Sequence, residues 1–241
     1  QSPLYFDAPF KEILATLMLG ATTYLIPRRL FSFPVLLMDY LNENGVNTVC
    51  WVSSALSAAA ALGALDARPP LFLKRVVFGS ERLPVSHYQA WRRVLPDAAF
   101  YQLYGPTEAT GMSCFWPARD LASEETIPVG RPFRNTDLML ISDDCRRVTT
   151  SGEEGEICMT GPAVMMGYLN NPEETANVLR VHPDGQVWIH SGDVGVMDED
   201  GFIYLVDRKK DVIISGGENI YPVQVEDYTV RRILEEVTGR V

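Results

Sequence analysis

The sequence contains few of the residues that build metal cages or disulfide frameworks. It has four cysteines and three histidines among 241 residues, and no two cysteines form a C-x-x-C pair. This spacing favours reduced, partly buried thiols in a cytoplasmic protein and argues against a structural zinc site. Lysine is also scarce, with only Lys11, Lys74, Lys209 and Lys210. No apolar run approaches the roughly 20 residues that a transmembrane helix needs, so we predict no membrane span.

Clustered positive charge is lacking as well. The net charge is −10, and the one basic cluster, Arg208-Lys209-Lys210, is too short to bind a phosphate backbone. These features argue against nucleic acid as a partner. A nicotinamide-dependent dehydrogenase is not expected either, because no G-x-G-x-x-G motif follows a predicted strand. What the chain does contain is 46% apolar residues, enough for a substantial core and typical of a globular protein.

Helix and strand patterns alternate along the first half of the chain. Helices are predicted at FDAPFKEILATLMLG, PVLLMDYLNENG, SSALSAAAALGAL and LPVSHYQAWRRVLP, and strands at TTYLI, VNTVCWV, KRVVFG and AAFYQLYG. Asp7 is expected to cap the first of these helices, and a serine the third. The alternation predicts an α/β fold over residues 1–126, with a mostly parallel sheet and crossover helices.

The second half is rich in strands, and we predict a β-rich part over residues 127–207. Strand patterns occur in TDLMLIS, GEICMTG, VWIHSGDVGVM and GFIYLVD, and Asp200-Gly201 is typical of a hairpin turn. We expect the SGD triplet at 191–193 to end its strand. We interpret Trp188 and His190 as packing residues of that strand. Asn171 and Pro172 predict the start of a short helix over NPEETANVL.

Polar residues follow two predicted strands at the edge where parallel sheets bind ligands. Gly105-Pro106-Thr107-Glu108 comes after YQLY, and Gly79-Ser80-Glu81 ends VVFGSE. Thr107 offers a hydroxyl for a phosphate oxygen, Glu108 a carboxylate suited to Mg²⁺, and Tyr104 a ring for a planar base. Asp193 is the kind of carboxylate that binds paired ribose hydroxyls. An ordinary Gly-Pro turn followed by a solvated element explains Gly105–Glu108 equally well.

Four motifs in order resemble the adenylate-forming superfamily, which includes acyl-CoA synthetases, aryl-CoA ligases, luciferases and the adenylation domains of peptide synthetases. The motifs are FGSERLP, YGPTEAT, GEICMTGPAVMMGYLNNPEETA and HSGDVGVMDEDGFIYLVDRKKDVIISGGENIYP, and they cover nearly the whole chain. The resemblance implies an enzyme that couples a carboxylic acid to ATP, releasing pyrophosphate and forming an acyl-adenylate. The acyl group then passes to the thiol of CoA or of a carrier protein's phosphopantetheine. Residues 208–241 would be the hinge and the beginning of a small α+β C-terminal domain.

The resemblance also implies roles for individual residues. Thr107, Glu108 and Arg208 would be catalytic, with Thr107 on a phosphate, Glu108 on Mg²⁺ and Arg208 on the nucleotide. Nucleotide contacts would further include Tyr104 and Gly105 near adenine, Asp193 on the ribose, and Gly79, Ser80 and Glu81 lining the adenine and acyl pocket. Charge neutralisation and positioning are the physical needs of attack on an α-phosphate, and these residue types supply them.

The remaining implied roles concern domain motion and the acceptor thiol. Lys210 falls at the hinge between the large and small domains, while Lys209 fits a solvated face. Gly216 and Gly217 match a loop that approaches the nucleotide and the pantetheine tunnel. The Gly/Ser/Thr-rich phosphate loop and the late catalytic lysine of this superfamily are not found. We therefore expect a partial chain that does not complete adenylation efficiently alone.

Two substrate classes remain open at the level of sequence. The stretch SPLYFDAPFKEIL resembles the FDxS segment of amino-acid-activating members, in which the aspartate, here Asp7, binds an ammonium group. If Asp7 is only a helix cap, a neutral aliphatic or aromatic acid fits better, and helix-capping aspartates are common. Gly111 is a further candidate substrate contact. We favour the acyl-CoA type, with an amino-acid adenylation domain and a non-catalytic nucleotide-binding module as alternatives.

Overall fold

The structure is a computed structural model that describes residues 6–119, 121–122 and 126–208, and the backbone alone of 213–215 and 218–220. Within these residues the α-helices are α1 (Ala8–Met18), α2 (Pro34–Glu43), α3 (Ser53–Ala61), α4 (Ala64–Ala67), α5 (Val85–Val94) and α6 (Pro172–Val178). Short 3-10 turns occur at Arg28–Ser32 and Thr107–Ala109. None of the described helices is long and apolar enough to cross a membrane.

The strands of the described residues fall into three sheets. The first contains β1 (Thr48–Val52), β2 (Arg75–Gly79), β3 (Ala99–Tyr104), β4 (Cys114–Pro117) and β5 (Arg131–Pro132), in that order. The second contains β6 (Asp137–Ile141), β7 (Arg147–Val148), β8 (Glu154–Thr160), β9 (Leu179–Val181), β10 (Val187–Met197) and β11 (Ile203–Arg208). Two short strands, β12 (Ile213–Ser215) and β13 (Glu218–Ile220), pair with each other.

The chain divides into two compact units. The first comprises residues 1–136 and 162–165, and the second residues 137–161 and 166–241. In the first unit β1, β2 and β3 are parallel and are connected through α3, α4 and α5, as the alternating pattern predicts. The strands β4 and β5 extend this sheet in antiparallel fashion. This mixed α/β architecture, followed by a strand-rich antiparallel sheet, confirms the predicted fold class.

The core of the first unit packs helices onto the sheet. Trp91 of α5 is fully buried, and its indole N–H donates to the carbonyl oxygen of Leu56 in α3 at 3.0 Å. Tyr88, on the same helix, contacts the rings of Phe100 and Trp116 from the sheet. Burying such large aromatic side chains stabilises the fold and holds the strand ends in place.

The second unit is an antiparallel sheet with side chains buried on both faces. Ile157, Met159 and Ile189 are almost completely buried. Cys158 and Trp188 belong to a second buried cluster that includes Met139 and Ile141. The hairpin between β10 and β11 is present as predicted, with Gly201 at φ +78°. Asn171 caps α6 as expected, because its side chain accepts the Glu174 N–H at 3.2 Å.

Three expectations about the bounds of helices and strands were wrong. The TTYLI stretch (22–26) forms no strand, since its side chains are mostly exposed and no strand of the described residues pairs with it. The alanine-rich helix breaks into α3 and α4 at Gly63, whose φ of +68° is left-handed. The SGD triplet does not end a strand, because β10 continues through it to Met197 with an irregular register.

Candidate functional site

The carboxyl ends of the three parallel strands meet at one edge of the first unit. Val52 pairs with Gly79, and Gly79 pairs with Leu103, so the predicted ligand-binding ends lie side by side. The approach is so close at Gly79 that a Cβ atom there would lie 2.2 Å from the Leu103 carbonyl oxygen. Glycine is therefore required at this strand end for steric reasons.

Ser80 and Glu81 turn the chain away from this edge. Ser80 has a φ of +69°, in the left-handed region that non-glycine residues rarely adopt. The Glu81 carboxylate accepts the Ser54 N–H at 2.9 Å, and the Glu81 carbonyl accepts the hydroxyl of the buried Ser53 at 2.8 Å. The cap of α3 is thus a distant glutamate rather than the serine that we predicted.

The loop after β3 is fixed by backbone hydrogen bonds. The carbonyl oxygen of Tyr104 accepts the Ser113 N–H at 2.8 Å, and that of Pro106 accepts the Ala109 and Gly111 N–H groups, both at 3.0 Å. A Cβ atom on Gly105 would lie 2.5 Å from the Ser113 nitrogen, so the two segments leave no room for a side chain. The loop therefore has one well-defined path between Tyr104 and Gly111.

This loop presents the two residues expected at the phosphates and the metal. Thr107 and Glu108 lie on the 3-10 turn, with Thr107 exposed and Glu108 half-buried. The Glu108 carbonyl accepts the Met165 N–H at 2.8 Å, which ties the turn to a segment far along the chain. The neighbouring thiol of Cys114 is unsuited to nucleophilic chemistry, because burial raises its pKa to about 12.

The structure brings Asp7 and Gly111 together. A Cβ atom on Gly111 would lie 2.2 Å from Asp7 Oδ2, so the carboxylate rests against the glycine. Asp7 occupies the cap position of α1, yet its side chain makes no capping hydrogen bond. Its buried Oδ2 atom has no hydrogen-bond partner among the described residues. An acceptor left in this state is suited to a ligand that donates hydrogen bonds.

In the second unit, Asp193 and Arg208 are cross-strand neighbours on β10 and β11. Arg208 Nε lies 3.5 Å from Asp193 Oδ1, and the Asp193 side chain is 14% exposed while that of Arg208 is 63% exposed. A partly buried carboxylate beside an exposed guanidinium can bind hydroxyl donors and an anion, respectively. Lys209, Lys210, Gly216 and Gly217 lie outside the described residues, so their predicted roles stay predictions.

One set of contacts in the second unit escaped the sequence analysis. Glu156 on β8 contacts both His190 and Gly192 on β10 through its carboxylate. It lies in the GEICMTG motif, where it is a charged residue at the start of an otherwise apolar strand pattern, but the motif does not indicate which residues it contacts. The partners lie 34 and 36 positions away, so no local pattern connects them.

Comparison with known protein families gives a match over most of the chain. The family model described as AMP-binding enzyme matches residues 1–169. The protein is 37% identical over 227 residues to a feruloyl-CoA synthase from Amycolatopsis sp., covering 94% of this chain and 44% of that protein. It is 42% identical over 158 residues to a long-chain-fatty-acid–CoA ligase from Bacillus subtilis (strain 168), covering 64% of this chain and 26% of that protein.

A solved structure supports the same relationship. The o-succinylbenzoate coenzyme A synthetase from Bacillus subtilis, in complex with ATP and magnesium ion, superposes with a TM-score of 0.77 at 27% identity. The match covers 94% of this chain and 44% of that one. The chain thus spans less than half the length of these relatives.

Proposed function

Because the chain belongs to the family of AMP-binding enzymes, we propose that it is part of an ATP-dependent, AMP-forming acid–thiol ligase. The acid's carboxylate attacks the α-phosphorus of ATP, the bond to the leaving pyrophosphate breaks, and a mixed anhydride with AMP forms. A thiolate then attacks the acyl carbon and AMP leaves. The observation that carries the proposal is the hydrogen-bonded Tyr104–Gly111 loop at the edge where the parallel strands end.

Each proposed role matches the chemistry of the side chain. The exposed Thr107 hydroxyl donates to a phosphate oxygen, and the ring of Tyr104 packs against adenine. Asp193 accepts from the ribose hydroxyls, and Arg208 neutralises negative charge on the nucleotide. Lys210 is the proposed hinge, and Gly216 and Gly217 are proposed to line the path of the thiol. All three residues lie outside the described residues.

Magnesium is the proposed metal, and Glu108 is the residue that fits it. Its half-buried carboxylate provides one hard oxygen ligand, and Mg²⁺ commonly takes one or two carboxylates together with phosphate oxygens and water. The ion would supply charge neutralisation at the phosphates. Glu108 is held in place by its own turn and by the Met165 N–H on its carbonyl oxygen.

The acceptor thiol that we propose is CoA, with a carrier-protein phosphopantetheine as the alternative. Two relatives named above are a CoA synthase and a CoA ligase, at 37% and 42% identity. We further propose a cytoplasmic location, in agreement with the four free cysteines.

A specific observation favours a second substrate class, namely amino acids. The buried Oδ2 of Asp7 lacks a hydrogen-bond partner among the described residues, as a carboxylate awaiting an ammonium group would. The competing interpretation is a neutral acid whose apolar part lies near Gly111. Under that interpretation, changing Asp7 to Asn leaves turnover of the preferred acid nearly unchanged.

The test is acid-dependent pyrophosphate exchange by the full-length protein, with a panel of aliphatic, aromatic and amino acids. We expect exchange with at least one acid, and a loss of about tenfold to hundredfold in Thr107→Ala, in which one hydrogen bond to a charged phosphate is removed. Thr149→Ala changes an exposed threonine in a loop of the second unit and is the matched control. Nucleotide binding without exchange for any acid would instead support a non-catalytic module.

A further inference from the structure

A buried carboxylate contacts the residue that precedes Asp193. Glu156 on β8 and His190 on β10 are only 9% and 8% exposed. Glu156 Oε2 lies 3.1 Å from His190 Nδ1, and Glu156 Oε1 accepts the Gly192 N–H at 3.1 Å. One carboxylate therefore holds the residues on both sides of Ser191.

These contacts replace a missing part of the β-ladder. The pairing of β8 with β10 is irregular between His190 and Val194, and Gly192 has a left-handed φ of +74°. Ser191 Oγ donates to the Ile157 carbonyl at 2.7 Å and accepts the Asp193 N–H at 3.1 Å. Side chains thus satisfy the N–H groups of both Gly192 and Asp193. Irregularities of this kind re-aim a side chain of the strand.

We infer that Glu156 and His190 are positioning residues, which hold the bulge at 191–193 in the one conformation that directs Asp193 to the ribose of the nucleotide. The inference rests on the proposed ligase function, since it assigns Asp193 its ribose. What the inference adds is that the conformation of the bulge depends on Glu156. A charged acceptor binds a buried N–H more strongly than a neutral one, which suits it to this task.

A second histidine completes the network on the far side of His190. The Nε2 atoms of His182 and His190 are 3.0 Å apart. If His190 donates from Nδ1 to Glu156, its Nε2 accepts, and His182 is the donor. Burial, followed by the proximity of His190, lowers the pKa of His182 below its ordinary value. The chain of contacts from Glu156 to His182 fixes the His190 ring from both ends.

Glu156 and His190, together with Cys158, also resemble a metal site. This alternative predicts bound metal in the purified protein. Ligand atoms of Glu156, Cys158 and His190 lie within 4.8 Å of one another, with Cys158 Sγ 3.4 Å from His190 Nδ1. However, both oxygens of Glu156 already have protein partners, and Cys158 is completely buried. Stoichiometric zinc in the purified protein, lost in Cys158→Ser, would overturn the positioning role.

Hydrogen exchange tests the inference without any nucleotide. In Glu156→Ala we expect the Gly192 amide to exchange at least about tenfold faster, as when one bond to a charged group is lost. Glu156→Gln keeps an acceptor oxygen and should restore part of the protection. Glu199→Ala, at the exposed turn between β10 and β11, is the control and should change nothing. Unchanged exchange at Gly192 in both Glu156 variants would contradict the inference.

Ribose discrimination supplies the functional test. We would measure the ratio of kcat/KM for ATP to that for 2′,3′-dideoxy-ATP in the full-length protein. Asp193→Asn should lower this ratio, Glu156→Ala and His190→Asn should lower it too, and combining Glu156→Ala with Asp193→Asn should add little. A general loss of stability would reduce both rates and leave the ratio unchanged.

The two proposals fail in distinguishable ways. If Asp193→Asn leaves the ratio unchanged, the ribose role fails, and hydrogen exchange at Gly192 still decides whether Glu156 holds the bulge. If Asp193→Asn lowers the ratio and neither Glu156→Ala nor His190→Asn does so, the positioning inference is wrong while the ligase proposal stands. Glu156→Gln and His190→Asn retain polar side chains, so they keep the test available if Glu156→Ala does not fold.

Discussion

Replacing Gly79 with alanine tests the close approach of β2 and β3 at the candidate site. The added Cβ would lie 2.2 Å from the Leu103 carbonyl oxygen, whereas real Cβ contacts essentially never fall below 3.0 Å. The two strands must therefore separate by about 0.8 Å at this point. The obstacle is backbone in the interior of a sheet, which no side-chain rotation can relieve.

The loss in free energy of unfolding for Gly79→Ala has two contributions. Overpacking of this kind costs about 1–3 kcal/mol, and weakening one hydrogen bond of the ladder adds about 0.5–1.5 kcal/mol. The free energy of unfolding should thus fall by roughly 2–4 kcal/mol. At about 2–4 °C per kcal/mol for a chain of this size, we expect a Tm lower by roughly 5–15 °C.

The assay is thermal unfolding followed by circular dichroism, with nucleotide binding measured below the transition. Gly201→Ala is the matched control, because Gly201 has a positive φ but open space around it, and its cost should be only about 1–2 kcal/mol. We expect nucleotide binding to weaken in Gly79→Ala and to stay unchanged in Gly201→Ala. A Tm for Gly79→Ala within about 1 °C of the parent would refute the close approach of the two strands.

Three other predictions follow from the described residues. With a thiol-reactive dye at pH 8, the exposed Cys145 should react quickly, the half-buried Cys50 slowly, and the buried Cys114 only after unfolding, because burial raises the pKa values of Cys50 and Cys114 to about 12. Asn171→Ala removes the cap of α6 and should lower the free energy of unfolding by about 1 kcal/mol in urea titrations. Desolvation lowers the pKa of His87 below its usual 6.5, so its contribution to stability is complete above pH 6.5 and is lost as the pH falls through its folded-state pKa. His87→Gln should accordingly flatten the dependence of Tm on pH between 7 and 5, and an unchanged slope would contradict this assignment.

Local patterns predicted most of the regular elements. The Asn171-Pro172 start of α6 and the Asp200-Gly201 turn were both confirmed, because their signals lie within a few residues of the structure they determine. The TTYLI stretch shows the limit of such patterns. Its residues favour a strand, but a strand also needs a partner, and no described segment pairs with it.

The candidate site was predicted in part for the same reason. Thr107 and Glu108 follow a strand end, and that position could be inferred from the order of elements. The cap of α3 by Glu81 could not, because its carboxylate reaches Ser54 across 27 positions of sequence. The continuation of β10 through Gly192 likewise depends on Glu156, 36 positions earlier.

The sequence by itself determined the family, the alternation of helices and strands, and the loops that carry the polar residues. The family follows from the resemblance of four motifs, whereas the elements and their loops follow from residue order and from periodicity over a few positions. Tertiary structure alone decided that Asp7 rests against Gly111 and that Glu156 supports the bulge before Asp193. Such contacts arise when packing buries polar groups far apart in the chain, and a buried acceptor then takes whichever donor the fold brings within reach.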